Sequence, residues 1–238
     1  MMQDIDIYLT KCYNITCLIM LIRRISMKTE SFRSILTKAV MSGIMIGMGG
    51  IVYLVMENKL MGAFMFSFGL FTIIQRGFAL YTGKVGYIPE NTPIYIREVL
   101  ITLLGNIAGT GIAALFVSFT RIWDKVHEAA AASMAVKTGD NILSQIFLGF
   151  FCGMLMYLAV DNGKKCRTDK TDVSFVFGVS VPVMVFIFCG FNHSVADCFY
   201  MFAAGVSLKG ILYVLTVAFG NACGGMFIPL MKKLFDKQ

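Results

Sequence analysis

Six long apolar segments constrain this chain more than any other feature of its sequence. A helix that crosses a hydrocarbon layer of ~30 Å requires about 20 apolar residues, and 57% of the residues here are hydrophobic while 15% are charged. Because backbone polar groups inside a bilayer must be bonded within the protein, such segments form helices. We therefore expect an all-α membrane protein embedded in a lipid bilayer. The six expected spans lie at about 39–56, 60–81, 99–119, 142–160, 175–206 and 210–230.

The N-terminal region departs from this pattern. Its apolar stretch at 13–22 is too short to cross a bilayer, and Arg23 and Arg24 follow it directly. We expect residues 1–37 to form a cytoplasmic N-terminal segment and residues 38–238 to form a six-helix transmembrane domain.

Lysine and arginine are distributed unevenly between the loops. If the six segments alternate in direction, fifteen of the 21 Lys and Arg residues lie on the side of the N-terminus and five lie on the other side. Positively charged loops stay in the cytoplasm, so the asymmetry predicts a multi-pass plasma-membrane protein with both termini in the cytoplasm. It also accounts for the net charge of +7 without a nucleic-acid partner.

Two glycine motifs occur in the same order in both halves of the chain. G-N-x-x-G appears at 105–109 in the third apolar segment and at 220–224 in the sixth. G-x-x-x-G begins at Gly43 in the first segment and at Gly149 in the fourth. Small residues at these spacings let membrane helices approach closely, so each half is expected to pack its helices in the same way.

Interruptions also occur in corresponding segments of the two halves. The second apolar segment is interrupted at 75–77 and again around 82–83, and the fifth at 190–194. Because each half has three spans, an odd number, the second half has the opposite orientation in the membrane. We therefore expect two inverted three-helix repeats with helices 2 and 5 broken, and a binding or permeation site near the middle of the membrane.

His193 lies in the interruption of the fifth segment, with Asn192 beside it. A titratable group at membrane depth is costly unless it faces protein or a water path. An imidazole there can donate to an anion and exchange a proton near neutral pH, so we interpret His193 and Asn192 as the centre of the site. The alternative is a core histidine bonded to a backbone carbonyl. The other histidine, His127, lies in a polar loop, where we expect it to be solvated.

The end of the second segment supplies two further candidates, Leu80 and Thr82. A threonine hydroxyl opposite His193 would replace part of the water shell of an anion. The alternative is that Thr82 bonds back to a carbonyl of its own helix, as threonine often does in membranes.

Phenylalanines surround both interruptions. Rings at such places form apolar constrictions that exclude hydrated ions by dewetting, although packing or lipid contact is the alternative for each. The candidates are Phe71, Phe186, Phe188 and Phe191.

Two charged residues lie within the apolar segments. Asp197 follows His193 by one helical turn, and Arg76 lies in the second segment. Because each is costly in hydrocarbon and each is relieved by a partner, we expect a buried Arg76–Asp197 pair. The alternative is that each side chain separately snorkels to the membrane surface or faces a vestibule.

Lys38 and Lys137 lie at the ends of apolar segments, where they would raise the local anion concentration at two vestibules. Solvated lysines without a role are the alternative. Enzyme signatures such as a P-loop, H-E-x-x-H or a nucleophile elbow are absent from the sequence, as is a cluster of metal ligands. We therefore expect no catalysis, cofactor or metal.

The chain resembles the formate–nitrite transporter family. The motifs that carry the resemblance are GFNHSVADCF in the fifth segment, GFALYTG in the second, LGFFCGMLMYLAV in the fourth and the two G-N-x-x-G segments. They occur on four spans in family order, and the resemblance covers about residues 38–227.

The resemblance implies a homopentamer with one pore per protomer, an aquaporin-like six-helix arrangement and no cofactor. By position, His193 corresponds to the family's central histidine and Thr82 to the threonine that faces it. Leu80 and Phe186 correspond to constriction residues, and Lys137 to a vestibule lysine.

Four positions depart from the family's pattern. An acidic residue and an asparagine in the second segment are Ala79 and Lys84 here, and an asparagine in the fourth is Gly153. The residue after alanine in the histidine motif, commonly asparagine, is Asp197. These departures look more like the hydrosulfide-conducting branch.

The sequence therefore predicts a channel for passive or proton-linked passage of small monovalent anions of weak acids, with hydrosulfide first and formate or nitrite next. The alternatives are a proton-coupled alternating-access carrier with the same site and, from another class, a membrane enzyme that uses His193 and Asp197.

Overall fold

The structure is a computed structural model that describes residues 30–169 and 172–236. The chain divides into two compact units, Met1–Ser34 and Ile35–Gln238, and the second holds nearly all of the described helical residues. Most of the predicted segment 1–37 lies outside the described residues, so its cytoplasmic placement stays a prediction. The described helices are α1 (Phe32–Val55), α2 (Lys59–Arg76), α3 (Tyr81–Lys84), α4 (Ile94–Ser118), α5 (Trp123–Gly139), α6 (Ile142–Asp169), α7 (Asp172–Phe188), α8 (Ser194–Ala204) and α9 (Leu208–Phe235), and a 3-10 helix at Val85–Glu90 continues α3.

Apolar helices of membrane-spanning length make up most of the fold. Helices α1, α4, α6 and α9 are each long and apolar enough to cross a bilayer. Helix α2 and the segment Tyr81–Glu90 add a fifth candidate span, bent by 58° at its break. Two shorter apolar helices, α7 and α8, occupy the fifth predicted segment. The prediction of an all-helical protein with several apolar membrane helices is confirmed for the part of the chain that the structure describes.

The second apolar segment is interrupted after Arg76. Gly77 takes the left-handed conformation with φ 66°, which a residue with a Cβ adopts only at a cost. The Phe78 amide donates to the Ile73 carbonyl over 2.9 Å, the bond that closes a helix of this kind. The second interruption predicted around Thr82 is wrong, because Thr82 lies inside α3.

The fifth segment ends its first helix in the same way. Gly190 has φ 68°, and the Phe191 amide donates to the Phe186 carbonyl over 2.9 Å. The chain resumes as α8 at Ser194, with His193 as its N-cap. Both interruptions therefore leave a short extended stretch between two helices.

Glycines bring the helices of each half to backbone contact. A Cβ on Gly109 of α4 would overlap the carbonyl oxygen of Val40 in α1, and a Cβ on Gly224 of α9 would overlap that of Phe150 in α6. Both glycines close the repeated G-N-x-x-G motif. The motif therefore marks a close helix contact in each half, as small residues do in membranes.

The polar segment between the third and fourth apolar segments is a helix, α5, which packs against α8. Nδ1 of His127 lies 2.8 Å from the carbonyl oxygen of Ala203 at the end of α8, and the His127 ring packs on Trp123. The prediction that His127 lies in a loop is therefore wrong, whereas its exposure to solvent agrees with the prediction. The bond holds one end of α5 against α8, which leaves Lys137, at the other end of α5, near the interruption at 190–194.

Candidate functional site

A buried asparagine in α4, Asn106, forms hydrogen bonds with the backbone of the first interruption. Oδ1 of Asn106 accepts from the Tyr81 amide over 2.8 Å. Its Nδ2 donates to the carbonyls of Ala39 in α1 and Ala79 in the interruption, over 2.8 and 2.9 Å. One side chain therefore bonds two groups that the interrupted backbone cannot pair with itself, and it connects them to α1.

A buried asparagine in α9 does the same for the second interruption. Oδ1 of Asn221 accepts from the Ser194 amide over 2.9 Å. Its Nδ2 donates to the carbonyls of Gly149 in α6 and Asn192 in the interruption, over 2.8 and 2.9 Å. Asn106 and Asn221 are the asparagines of the two G-N-x-x-G motifs, so the repeated motif supplies both sets of bonds.

A further pair of backbone bonds extends the correspondence. The Ala79 amide donates to the Lys38 carbonyl over 3.3 Å, and the Asn192 amide donates to the Leu148 carbonyl over 3.2 Å. Leu80 and His193 each follow the residue whose amide makes this bond, so they occupy equivalent positions. The two interruptions share a backbone arrangement and differ in the side chain at this position.

His193 and Thr82 meet across the interface between the two interruptions. Nε2 of His193 lies 3.0 Å from Oγ1 of Thr82, and Nδ1 accepts from the Ala196 amide over 3.1 Å. Because Nδ1 accepts, the neutral ring carries its proton on Nε2 and donates to Thr82. The hydroxyl hydrogen of Thr82 then remains available to a third group.

Apolar side chains enclose this hydrogen bond. The Phe186 ring stacks on the His193 ring with centroids 5.6 Å apart, and the edge of Phe66 packs against Phe186 at 5.9 Å. Leu80 and Phe186 are both buried and belong to one apolar cluster. The sequence thus named four side chains that the fold brings together: Leu80, Thr82, Phe186 and His193.

Two cavities flank this group. The first cavity has a volume of about 330 Å³ and is lined by His193, Phe186 and Asn192 together with Lys137 and Asp197. The second cavity has a volume of about 160 Å³ and is lined by Leu80 together with Lys84 and Lys164. The central group therefore lies between the two cavities.

Lys137 and Asp197 form a buried ion pair at the first cavity. Nζ of Lys137 lies 3.1 Å from Oδ1 of Asp197, whose other oxygen accepts from the Tyr213 hydroxyl over 2.8 Å. Lys137 also donates to Oδ1 of Asn192 over 2.8 Å. Arg76 is exposed at the end of α2, so the predicted Arg76–Asp197 pair is wrong.

The second cavity is lined by two lysines that were not among the predicted site residues. Lys38, the expected vestibule residue, is absent from the residues that line either described cavity. Lys84 and Lys164 line the second cavity instead; Lys84 pairs with Glu98 at 3.2 Å. Lys164 lies over the Tyr87 ring, 3.7 Å from its centroid. Lys84 directly follows the GFALYTG motif. This position next to a predicted site motif could have indicated that Lys84 lies near the site.

The remaining phenylalanine candidates take different positions. Phe191 lines the first cavity and stacks on Phe151 with centroids 5.2 Å apart. Phe71 packs against Phe175. Phe188 is 53% exposed on the surface of the described structure. The prediction that Phe188 forms a constriction is therefore wrong.

Among the described residues, no three His, Cys, Asp or Glu side chains come together in a way that would hold a metal ion. Two polar atoms next to His193, Nδ2 of Asn192 and Oγ of Ser194, are buried and lack a hydrogen-bond partner in the described structure.

Known proteins similar to this chain are transporters and channels. The chain is 27% identical over 158 residues to the formate channel FocA of Haemophilus influenzae and 27% identical over 190 residues to an uncharacterized transporter of Saccharomyces cerevisiae. These alignments cover 60% and 68% of this chain but 52% and 28% of the two relatives. The chain therefore spans about half or less of the length of the curated relatives that it matches.

Two solved structures have a similar fold. A pentameric formate channel with formate bound superposes with a TM-score of 0.71 at 21% identity, over 87% of this chain and 98% of that chain. An FNT family ion channel superposes with a TM-score of 0.69 at 22% identity, over 85% and 90% of the two chains. Since these identities are low, the similarities show the fold and not the transported ion.

The family model described as formate/nitrite transporter matches residues 22–234. This match includes both interruptions, both G-N-x-x-G motifs and the residues around His193. The chain therefore belongs to the formate/nitrite transporter family.

Proposed function

We propose that this protein is a membrane channel for small monovalent anions of weak acids, with hydrosulfide as the first candidate and formate and nitrite as the next. The observation that carries the proposal is the position of the His193–Thr82 hydrogen bond between two cavities. Membership of a transporter family and a fold shared with a formate channel support the same conclusion.

The membrane domain in this proposal has six spans in two inverted three-helix repeats, arranged as in aquaporins. Helix α7, the interruption and α8 together form the fifth span, and α2 with Tyr81–Glu90 forms the second. The matching bonds of Asn106 and Asn221 support this assignment, because they connect corresponding positions of the two halves.

Passage in this proposal begins when an anion enters one of the cavities. At the centre, the N-terminus of α8 and the Thr82 and His193 side chains replace part of its hydration shell. Leu80 and Phe186 exclude larger or strongly hydrated ions. His193 first takes up a proton from water in the first cavity and then transfers that proton to the anion, which leaves the ring neutral again. The anion passes as its neutral acid, which avoids moving a bare charge through a medium of low dielectric.

The proposed assembly is a homopentamer in the plasma membrane with both termini in the cytoplasm. A solved structure with this fold is a pentameric formate channel, and the distribution of Lys and Arg supports the orientation. The large apolar side chains exposed on single protomers, such as Leu104, Phe116 and Phe219, suit contact with lipid or with neighbouring protomers.

Flux into proteoliposomes tests the proposal. Hydrosulfide, formate, nitrite and chloride are compared side by side, with empty liposomes as the control for diffusion of neutral acids. We expect the three weak-acid anions to pass faster than chloride, with hydrosulfide fastest. Equal flux in protein-containing and empty liposomes for all four ions would contradict the proposal.

One observation favours a second candidate, a proton-coupled alternating-access carrier. Leu80, Thr82, Phe186 and His193 are all buried between the cavities, which is also what the occluded state of a carrier requires. Single-channel currents, or rates far above those of carriers, would decide for the channel. Strict coupling of one proton to each anion at slow turnover would decide for the carrier.

A further inference from the structure

A residue in the wall of the first cavity, Asn192, has a buried hydrogen-bond donor without a partner among the described residues. Asn192 is buried, and its Oδ1 is identified by the bond from Lys137, because an ammonium group can only donate. The other amide atom, Nδ2, is therefore assigned by chemistry. It lacks a partner among the described residues, and Asn192 lines the cavity beside His193.

Both backbone polar groups of Asn192 are also hydrogen-bonded. Its amide donates to Leu148, and its carbonyl accepts from Asn221. The side-chain amide cannot turn to satisfy Nδ2 without losing the bond between its Oδ1 and Lys137. A buried donor that stays unsatisfied destabilises a protein, so a group that enters the cavity is expected to accept from it.

The positive charge at this cavity is neutralised. Asp197 is 1% exposed and pairs with Lys137, which is itself only 18% exposed. The charged residues that line the cavity are Lys137, Asp140 and Asp197, so acidic groups outnumber basic ones. The second cavity differs, because the charged residues that line it are both lysines. Lys84 pairs there with Glu98, and Lys164 lies over the Tyr87 ring.

We propose that the first cavity contains a charge-neutral anion subsite, in which the Nδ2 donor of Asn192 binds the anion, Lys137 orients the amide, and Asp197 cancels the charge of the lysine. The inference rests on the proposed function. It assigns binding at this mouth to a neutral amide and makes Asp197 a specificity-determining residue, since a neutral site holds a small anion weakly enough to release it toward His193.

Concentration dependence of formate and hydrosulfide flux into proteoliposomes tests this subsite, at low ionic strength and at physiological ionic strength set with an impermeant salt. Asn192→Leu removes the donor at similar volume. We expect its KM to rise by about tenfold, the equivalent of losing one hydrogen bond to a charged group. Asp197→Asn leaves the charge of Lys137 uncompensated, so KM falls by about tenfold at low ionic strength and depends more strongly on salt than in the unmodified protein.

A matched control removes a positive charge elsewhere on the same helix. Lys125 is exposed on α5, and Lys125→Gln is expected to leave KM and its salt dependence as in the unmodified protein. If Asp197→Asn does not assemble, the salt dependence of the unmodified protein gives a second readout. Its KM is expected to change by less than about threefold between the two ionic strengths, because the Lys137–Asp197 pair carries no net charge.

Two results would overturn the inference. One is a KM for Asn192→Leu within twofold of the unmodified value in a folded, active protein. The other is a KM of the unmodified protein that rises about tenfold from low to physiological ionic strength, which would mean that Lys137 recruits the anion by its charge. Failure of the proposed function is distinguishable from both, since it appears as the absence of flux in the unmodified protein.

Discussion

The two interruptions of the membrane helices have the same backbone arrangement but carry different side chains. In each, a glycine with positive φ ends the first helix and a buried asparagine from another helix binds three backbone groups. At the equivalent position, however, one interruption carries Leu80 and the other His193. The backbone arrangement is therefore duplicated, whereas the chemistry is not.

The polar groups of the two interruptions complement each other. The first has apolar Leu80 followed two residues later by Thr82, and the second has His193 followed two residues later by Val195. At these two pairs of equivalent positions each half thus contributes one polar side chain, and the two meet in a single hydrogen bond of 3.0 Å. A duplicated scaffold has produced one asymmetric site in place of two similar ones.

Removal of either asparagine should have the largest effect on the protein. Asn106→Leu and Asn221→Leu each remove a bond to a helix carbonyl and leave two buried backbone groups of the interruption without a partner. Each unsatisfied group costs about 1–3 kcal/mol. We expect both variants to lose thermal stability in detergent by similar amounts, or to fail to assemble. Thermal unfolding followed by size-exclusion chromatography measures this.

The control for that comparison is Asn91→Ala, in an exposed turn where Nδ2 of Asn91 bonds to the Tyr87 carbonyl, and it should change stability little. If one of the two buried asparagines tolerated leucine while the other did not, the scaffolds would not be equivalent.

Loss of the Thr82 hydroxyl should have the next largest effect. Thr82→Val keeps the shape of the side chain but leaves the Nε2 proton of His193 without its acceptor, and such a loss costs about 1–3 kcal/mol. We expect flux to fall by about tenfold while the protein remains folded. Val195→Thr, the same exchange in reverse at the equivalent position, should not restore flux in the double variant.

Shortening of Leu80 should affect selectivity more than rate. If Leu80 forms the proposed apolar constriction, Leu80→Ala widens it, and we expect a rise in flux of a few-fold and entry of larger anions such as acetate. Flux of formate and acetate in proteoliposomes measures the ratio. Leu70→Ala in α2 is the matched control, because Leu70 is buried in the same cluster but lines neither described cavity.

Both substitutions should destabilise the protein by a similar amount, about 2–5 kcal/mol for a buried leucine. An unchanged formate-to-acetate ratio in Leu80→Ala would remove Leu80 from the constriction.

Much of this arrangement was accessible from the sequence because it depends on local chemistry. Gly77 and Gly190 interrupt apolar segments, and the polar residue His193 inside such a segment demands a protein environment. These features predicted where the helices break and which side chains lie near the centre. The repeated G-N-x-x-G motif was also recognised, although its glycines and not its asparagines were taken to matter.

The rest depended on which helices are neighbours, which the local pattern does not contain. Asp197 was expected to pair with Arg76, because both are charged and both lie in apolar segments. The fold instead brings α5 against α8, so Lys137 reaches Asp197. The helical character of α5 was missed because its sequence is too polar to resemble a span.

The pH dependence of flux through a variant of His193 tests the central claim most directly. Asn is the substitution of choice, because it also accepts at a helix N-cap and so separates capping from proton exchange. In the unmodified protein, flux of formate should rise as the pH falls, and His127→Gln, at the other histidine, should behave in the same way.

In His193→Asn, after subtraction of the flux into empty liposomes, we expect low flux that does not vary with pH. A folded His193→Asn protein with the rate and pH profile of the unmodified protein would contradict the claim that the imidazole carries the proton.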